Sequence, residues 1–384
     1  MEKWSAAGVR LPQPPINRDI VKRTGRLWPE LTSFPHLLRA AEAAAAGKRK
    51  RPDVAAFLLN LEPELVRLQR ELTTETYKPG RYRTFAILDP KPRHISAAPF
   101  RDRVVHHALT SILEPIFEPT FSTHSFACRK GMGTHKALAV AREGANRFPW
   151  VLKLDVRKYF ASLDHQILNK KLAGRIKCLP TLRLAATIIR ASNPQEEVAH
   201  YFPGDDLFTP LERRRGLPLG NQTSQFFANV YLDSLDRLLD EKLKPQLWAR
   251  YVDDLVIFAH HKTQLSEIRH AVESELTSVR LTLNSGKSRI HRCADGVTFL
   301  GWQFFPHLVR LVPGNAIRFG RRMKVLRRDF AAQLMEFPEV TQSVRAWIAH
   351  ASFGDTKVLR ERLLARFAFG RGEQPSRAGG RFQQ

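Results

Sequence analysis

The sequence predicts an α+β fold in which an antiparallel sheet packs on helices. Three observations carry that expectation. Residues 247–252 and 255–259 are short apolar runs on either side of Asp253-Asp254, and read as two strands joined by a tight turn in which Asp bonds its own backbone. Trp150–Asp155 is a third apolar strand, ending on a carboxylate. Two further segments have helical spacing, Phe227, Tyr231, Leu235 and Leu238, then Leu265, Ile268, Val272, Leu276 and Val279. The order strand, helix, long helix, hairpin, helix, strand is that of a ferredoxin-like unit, an antiparallel sheet on two helices.

Composition narrows the partner. The chain has 384 residues, enough for two or three domains with a proper core, and 43% hydrophobic residues excludes a disordered chain. Lys+Arg of 62 against Asp+Glu of 37 leaves a net charge of +25, suited to a polyanion such as nucleic acid. No apolar run is long enough to span a bilayer, and Met1-Glu-Lys-Trp-Ser lacks a leader pattern, so the expectation is a cytoplasmic protein without a membrane partner. Cys128, Cys178 and Cys293 are odd in number and far apart, and read as small packing residues rather than disulfide or zinc ligands.

In order along the chain, residues 1–76 form a basic, Pro-containing start and then a helical extension. Its segment Val54–Leu72 places Leu58, Leu61, Leu65 and Leu68 on one helix face. Lys48–Arg51 reads first as a solvated loop. Short basic strands follow, then a helix from near Arg101. Lys91 and Arg93, two apart on a strand, would share a face: an exposed edge that blocks pairing, or a clamp for a triphosphate. Arg129-Lys130-Gly-Met-Gly133 is either a plain loop or a phosphate-contacting turn. Asp164 reads as a helix N-cap. Residues 213–225 form a basic Gly/Pro loop opening the long helix. Residues 303–370 read as a helical unit in which Arg321, Arg322, Lys324, Arg327 and Arg328 oppose Val325, Leu326, Phe330 and Leu334; residues 371–384 read as a disordered basic tail.

Adjacent carboxylates beside strands this apolar repel by about 1 to 4 kcal/mol, a cost that a bound divalent cation turns into affinity. With Asp155 as the further carboxylate, Trp150–Phe160 and Tyr251-Val-Asp-Asp254 resemble motifs A and C of reverse transcriptases. The resemblance extends to Ser125-Phe-Ala-Cys-Arg-Lys-Gly and to Leu219-Gly-Asn-Gln-Thr-Ser-Gln225 at motif B. It implies a right-hand polymerase fold: fingers and an antiparallel ferredoxin-like palm over 77–302, then a helical thumb.

It also implies roles. A pair of Mg²⁺ ions would be held by Asp155 and Asp253, with Asp254 assisting and the Val156 carbonyl completing the set. Lys91 and Arg93 would hold the triphosphate, and Phe160 would stand at the steric gate that selects deoxynucleotides. Leu219, Gly220 and Gln225 would lie against the incoming nucleotide. Lys287 resembles the motif D proton donor, with a surface lysine as the alternative. Arg129, Lys130, Phe299-Leu300-Gly301, Arg321 and Arg328 would meet template and primer.

Ser-Gln at 224–225, where most members carry Ser-Pro, makes the chain most similar to the enzymes of diversity-generating retroelements. That subtype implies error-prone cDNA copied at adenines from a template-repeat RNA, and a small basic accessory variability protein as partner. A phage-defence enzyme, a group II intron enzyme and a non-catalytic RNA-binding scaffold are the alternatives. The short stretch after Phe369 argues against the intron type, and the three intact aspartates argue against the scaffold.

Overall fold

The computed structural model describes residues 23–87, 93–192, 200–367 and 369. The helices before the first strand are α1 (Trp28–Leu31), α2 (Phe34–Ala45), α3 (Pro52–Leu59) and α4 (Leu61–Thr73). Next come β1 (Arg83–Ile87), β2 (Arg93–Ala97), α5 (Phe100–Phe117), α6 (Thr134–Arg147) and β3 (Trp150–Asp155). They lead to α7 (Tyr159–Ser162), α8 (His165–Ala173), α9 (Leu179–Arg190), α10 (Thr209–Glu212) and α11 (Gln222–Arg237). β4 (Leu247–Tyr251), β5 (Asp254–Ala259), α12 (Lys262–Ser278) and β6 (Arg289–Arg292) follow. The chain continues through β7 (Val297–Phe299), β8 (Trp302–Phe305), β9 (Leu308–Leu311), α13 (Pro313–Ala331), α14 (Phe337–Ala351) and α15 (Lys357–Leu364).

At the centre lies a four-stranded antiparallel sheet of order β4-β5-β3-β6. Strand side chains alternate between faces, and here each face has its own cover. Leu152, Leu154, Trp248, Leu255 and Ile257 join a core with α2, α4, α5, α11 and α12. Val151, Ala249, Val256 and Phe258 join another with α6 and the small sheet β7-β8-β9. Burial on both faces explains why the strands are unbroken apolar runs, and the expected sheet on two helices lacked this second layer. Helix α6 approaches closely at Gly144, where a Cβ would run into the Phe258 ring.

Several elements differ from expectation. Residues 54–72 form two helices broken at Asn60 (φ −115°, ψ 35°), because Pro63 fits only in the first turn of a new helix. Leu65, Leu68 and Leu72 face the core, whereas Leu58 and Leu61 are only partly buried. Helix α11 is buried nearly all round rather than along one stripe, since α5, α8 and α12 enclose it. In α13 the inward row is Phe319, Met323, Leu326 and Phe330, spaced four, three and four; Val325, off that row, is exposed, and so is Leu334, which falls beyond the helix end at Ala331. The helical unit α13–α15 has its own small core, with Phe319 and Trp347 stacked at 3.8 Å.

The N-cap at Asp164 is as expected: its carboxylate accepts the Gln166 and Ile167 amides at 2.8 and 3.1 Å. Cys178 and Cys293 are buried and free of disulfides, but Cys128 is exposed rather than packed. Among the described residues no helix is long and apolar enough to cross a membrane.

Candidate active site

Strands β4 and β5 are joined by a two-residue turn, Val252-Asp253, since Tyr251 pairs with Asp254. The turn falls one residue earlier than the sequence implied, and Asp254 opens β5. Two-residue hairpins take positive φ to match strand twist, and Val252 stands at φ +61°, a region that costs a β-branched residue energy.

Asp155 ends β3 directly opposite Asp254, so the two carboxylates share one face of the sheet with Lys153. The Lys287 ammonium donates to both oxygens of Asp155, at 2.9 and 2.8 Å, and the Asn284 amide donates to one at 3.2 Å. Asp253 follows Val252 in the turn, and its backbone carbonyl accepts the Val156 amide at 3.2 Å.

Oδ1 of Asp254 is buried and has no hydrogen-bond partner; the Lys153 ammonium stands 3.5 Å away. Burial pushes the Asp254 carboxyl up to about 6; the cation of Lys153 pulls it down, and the negative charges of Asp253 and Asp155 push it further up. Among the described residues no three His, Cys, Asp or Glu side chains already form a metal-holding group. What is assembled is an excess of negative charge around a buried carboxylate oxygen that only a distant ammonium offsets, which oxygen-seeking divalent cations fit.

Lys91 falls outside the described residues, and Arg93 begins β2 opposite Ile87. The Leu219 carbonyl accepts the Ser96 amide at 3.2 Å, which ties the loop before α11 to strand β2; Gly220 and Gln225 beside it are exposed. Phe160 is half-buried, its carbonyl accepting the Leu217 amide at 2.8 Å.

Two expectations fail on burial. Arg129 is turned inward, donating to Glu118 at 2.8 Å, to the Ser125 carbonyl at 2.8 Å and to the Ser122 carbonyl, so its fork holds its own loop and is not available to a template; Lys130 beside it is exposed. Phe299, the last residue of β7, is fully buried in the core, and Leu300-Gly301 at the tip of that hairpin are half-buried. These two residues have φ of +48° and +85°, as a tight turn between Phe299 and Trp302 requires. Arg321 and Arg328 are exposed on α13.

Sequence reasoning missed a buried polar cluster behind the turn. The Arg250 side chain is 1% exposed and its partner Asp236, on α11, is 0% exposed. Arg250 donates to both Asp236 oxygens at 2.6 and 2.5 Å, to Ser125 Oγ at 2.8 Å, to Asn229 Oδ1 at 3.4 Å and to the Val252 carbonyl at 2.9 Å. The available signal was one cation in an apolar strand and one anion in an apolar helix, since buried charges are kept only when paired.

The family described as reverse transcriptase (RNA-dependent DNA polymerase) matches residues 79–304, more than half of the chain and all of the sheet. Protein YkfC of Escherichia coli is 28% identical over 281 residues, 63% of this chain and 71% of YkfC. The group II intron-encoded protein LtrA of Lactococcus lactis is 26% identical over 187 residues, 48% of this chain and 29% of LtrA. The putative COX1/OXI3 intron 1 protein of Saccharomyces cerevisiae is 25% identical over 238 residues, 62% of this chain and 26% of that protein. The two intron proteins thus extend well beyond the part they share with this chain. With its paired carboxylates at the end of an antiparallel sheet, the chain belongs to the reverse transcriptases, the RNA-dependent DNA polymerases.

Proposed function

We propose that this chain extends a primer with deoxynucleotides on an RNA template, the four-stranded sheet serving as palm and α13–α15 as thumb. The observation that carries this reading is the facing pair Asp155 and Asp254, with Asp253 in the adjoining turn. A pair of Mg²⁺ ions held by these carboxylates and the Val156 carbonyl would make the primer 3′-hydroxyl nucleophilic and neutralise the departing pyrophosphate.

The remaining work falls to the chain's own groups. Lys287, beside Asp155, supplies positive charge and a proton where the leaving group departs. Lys91 and Arg93 hold the triphosphate, and the Phe160 ring excludes a 2′-hydroxyl. Lys130, the tip Leu300-Gly301, and Arg321 and Arg328 of α13 meet the template and primer backbones, whose phosphates a chain of net charge +25 attracts.

Within the family we infer the diversity-generating type, with a template-repeat RNA and a small basic accessory protein as partners. Leu219 supports it: an aliphatic side chain stands beside the nascent pair where a glutamine amide would offer a hydrogen bond, and an unpoliced pair is copied less accurately. Purified protein copying a defined RNA is expected to misincorporate mainly opposite adenine; equal accuracy at all four bases would sink the subtype and leave the polymerase. Similarity to LtrA favours the group II intron-related reading as the second, and an intron RNA co-purifying in place of an adenine-substituted repeat would establish it.

A further inference from the structure

We propose that Arg250 is the positioning residue for the Asp253 carboxylate, an inference that rests on the polymerase reading above and deepens it. A guanidinium has five N–H donors in a rigid planar fork. All five are engaged: Nε and one Nη2 hydrogen on Asp236, the other on Ser125, and the two on Nη1 shared by Asn229 and the Val252 carbonyl.

The consequence falls on the turn. Val252 is held at φ +61°, from which a β-branched residue relaxes unless its surroundings prevent it. Its carbonyl, in the peptide plane that leads into Asp253, is fixed by Arg250. The next carbonyl, that of Asp253 itself, is fixed by the Val156 amide at the end of β3. The backbone of Asp253 is therefore pinned from both sides, which fixes where its Cα–Cβ bond points.

Arg250 is in turn anchored beyond its own strand. Asp236 and Asn229 both stand on α11, and the Asn229 amide donates to the Ala127 carbonyl at 2.8 Å. The Phe126 amide donates to the Arg250 carbonyl at 3.0 Å, and the Arg250 amide to the His124 carbonyl at 2.9 Å. The segment 124–127, helix α11 and the turn are thus one hydrogen-bonded unit. A lysine placed at 250 keeps the charge but cannot reach Asp236 and the Val252 carbonyl in the same plane.

The test uses the full chain, with Mn²⁺ binding followed by electron paramagnetic resonance alongside primer extension and thermal melting. Arg250→Lys is expected to bind Mn²⁺ about tenfold more weakly and to lose roughly 100-fold in kcat, with KM for the deoxynucleotide little changed, as expected of a misplaced catalytic group. Asp253→Ala marks the full loss of that ligand. A folded Arg250→Lys protein with wild-type Mn²⁺ affinity and kcat, altered only in melting temperature, overturns the proposal. Should Arg250→Lys fail to fold, Ser125→Ala decides, since it removes one contact of five: weaker Mn²⁺ binding and lower kcat at constant KM support the proposal, and wild-type values overturn it. Wild-type protein that extends no primer overturns the polymerase reading alone, because the Mn²⁺ measurement still compares the Arg250 variants.

Discussion

The ammonium of Lys287 bridges both carboxylate oxygens of Asp155, at 2.9 and 2.8 Å, across 132 residues of sequence. Lys287 is about half exposed, so the bond is screened and exchangeable, weaker than a buried pair. A lysine on Asp155 competes with any divalent cation for the same oxygens. Lys287→Ala is expected to lower the divalent cation concentration needed for half-maximal activity while reducing kcat by roughly 100-fold, the usual contribution of a general acid. Unchanged kcat would leave the lysine as surface charge only.

Asp254 places function against stability. It is a mostly buried carboxylate whose Oδ1 lacks a hydrogen-bond partner and which faces Asp155 across the sheet. Asp254→Asn removes like-charge repulsion and the cost of burying a charge. The variant should melt at higher temperature than wild type and lose at least about 100-fold in primer extension. A lower melting temperature would mean that the Lys153 contact outweighs the repulsion.

Gly144 tests the second layer on the sheet. A methyl group there has no room against Phe258, so Gly144→Ala should destabilise the protein by about 1 to 3 kcal/mol in urea unfolding, despite the better helix propensity of alanine. Activity per folded molecule should hold, because the contact lies toward the opposite end of β5 from Asp254. Stabilisation would show that α6 can move away from the sheet without loss.

His106 makes stability depend on pH. It is buried in α5, its Nδ1 has no partner, and burial first, then repulsion from His107 and Arg103, push it down to about 3 from an ordinary 6.5. With the folded value below the unfolded one, the unfolded chain binds the extra proton between those limits. Stability is therefore complete above pH 6.5 and falls as pH drops from 6.5 toward 3, by up to about 1.4 kcal/mol per unit. His106→Leu should flatten the fall in unfolding midpoint between pH 7.5 and pH 5.5; parallel curves for the two proteins would rule the histidine out as its source.

The sequence alone determined the sheet strands, the hairpin with its two carboxylates, the Asp164 cap and the family, because these depend on local apolar runs, turn chemistry and spacing within a few residues. Only the tertiary structure decided which carboxylate faces Asp155. Strand register is a non-local property: it sets Asp254 at the start of β5 against Asp155 and leaves Asp253 in the turn. The same holds for burial: Arg129 and Phe299 look like contacts for nucleic acid until packing turns them inward, and Arg250 looks like one more cation of a basic chain until α11 brings Asp236 against it. A charge is legible in sequence, but its partner belongs to the fold, since the energy of a buried charge is set by what lies within a few ångströms of it in space.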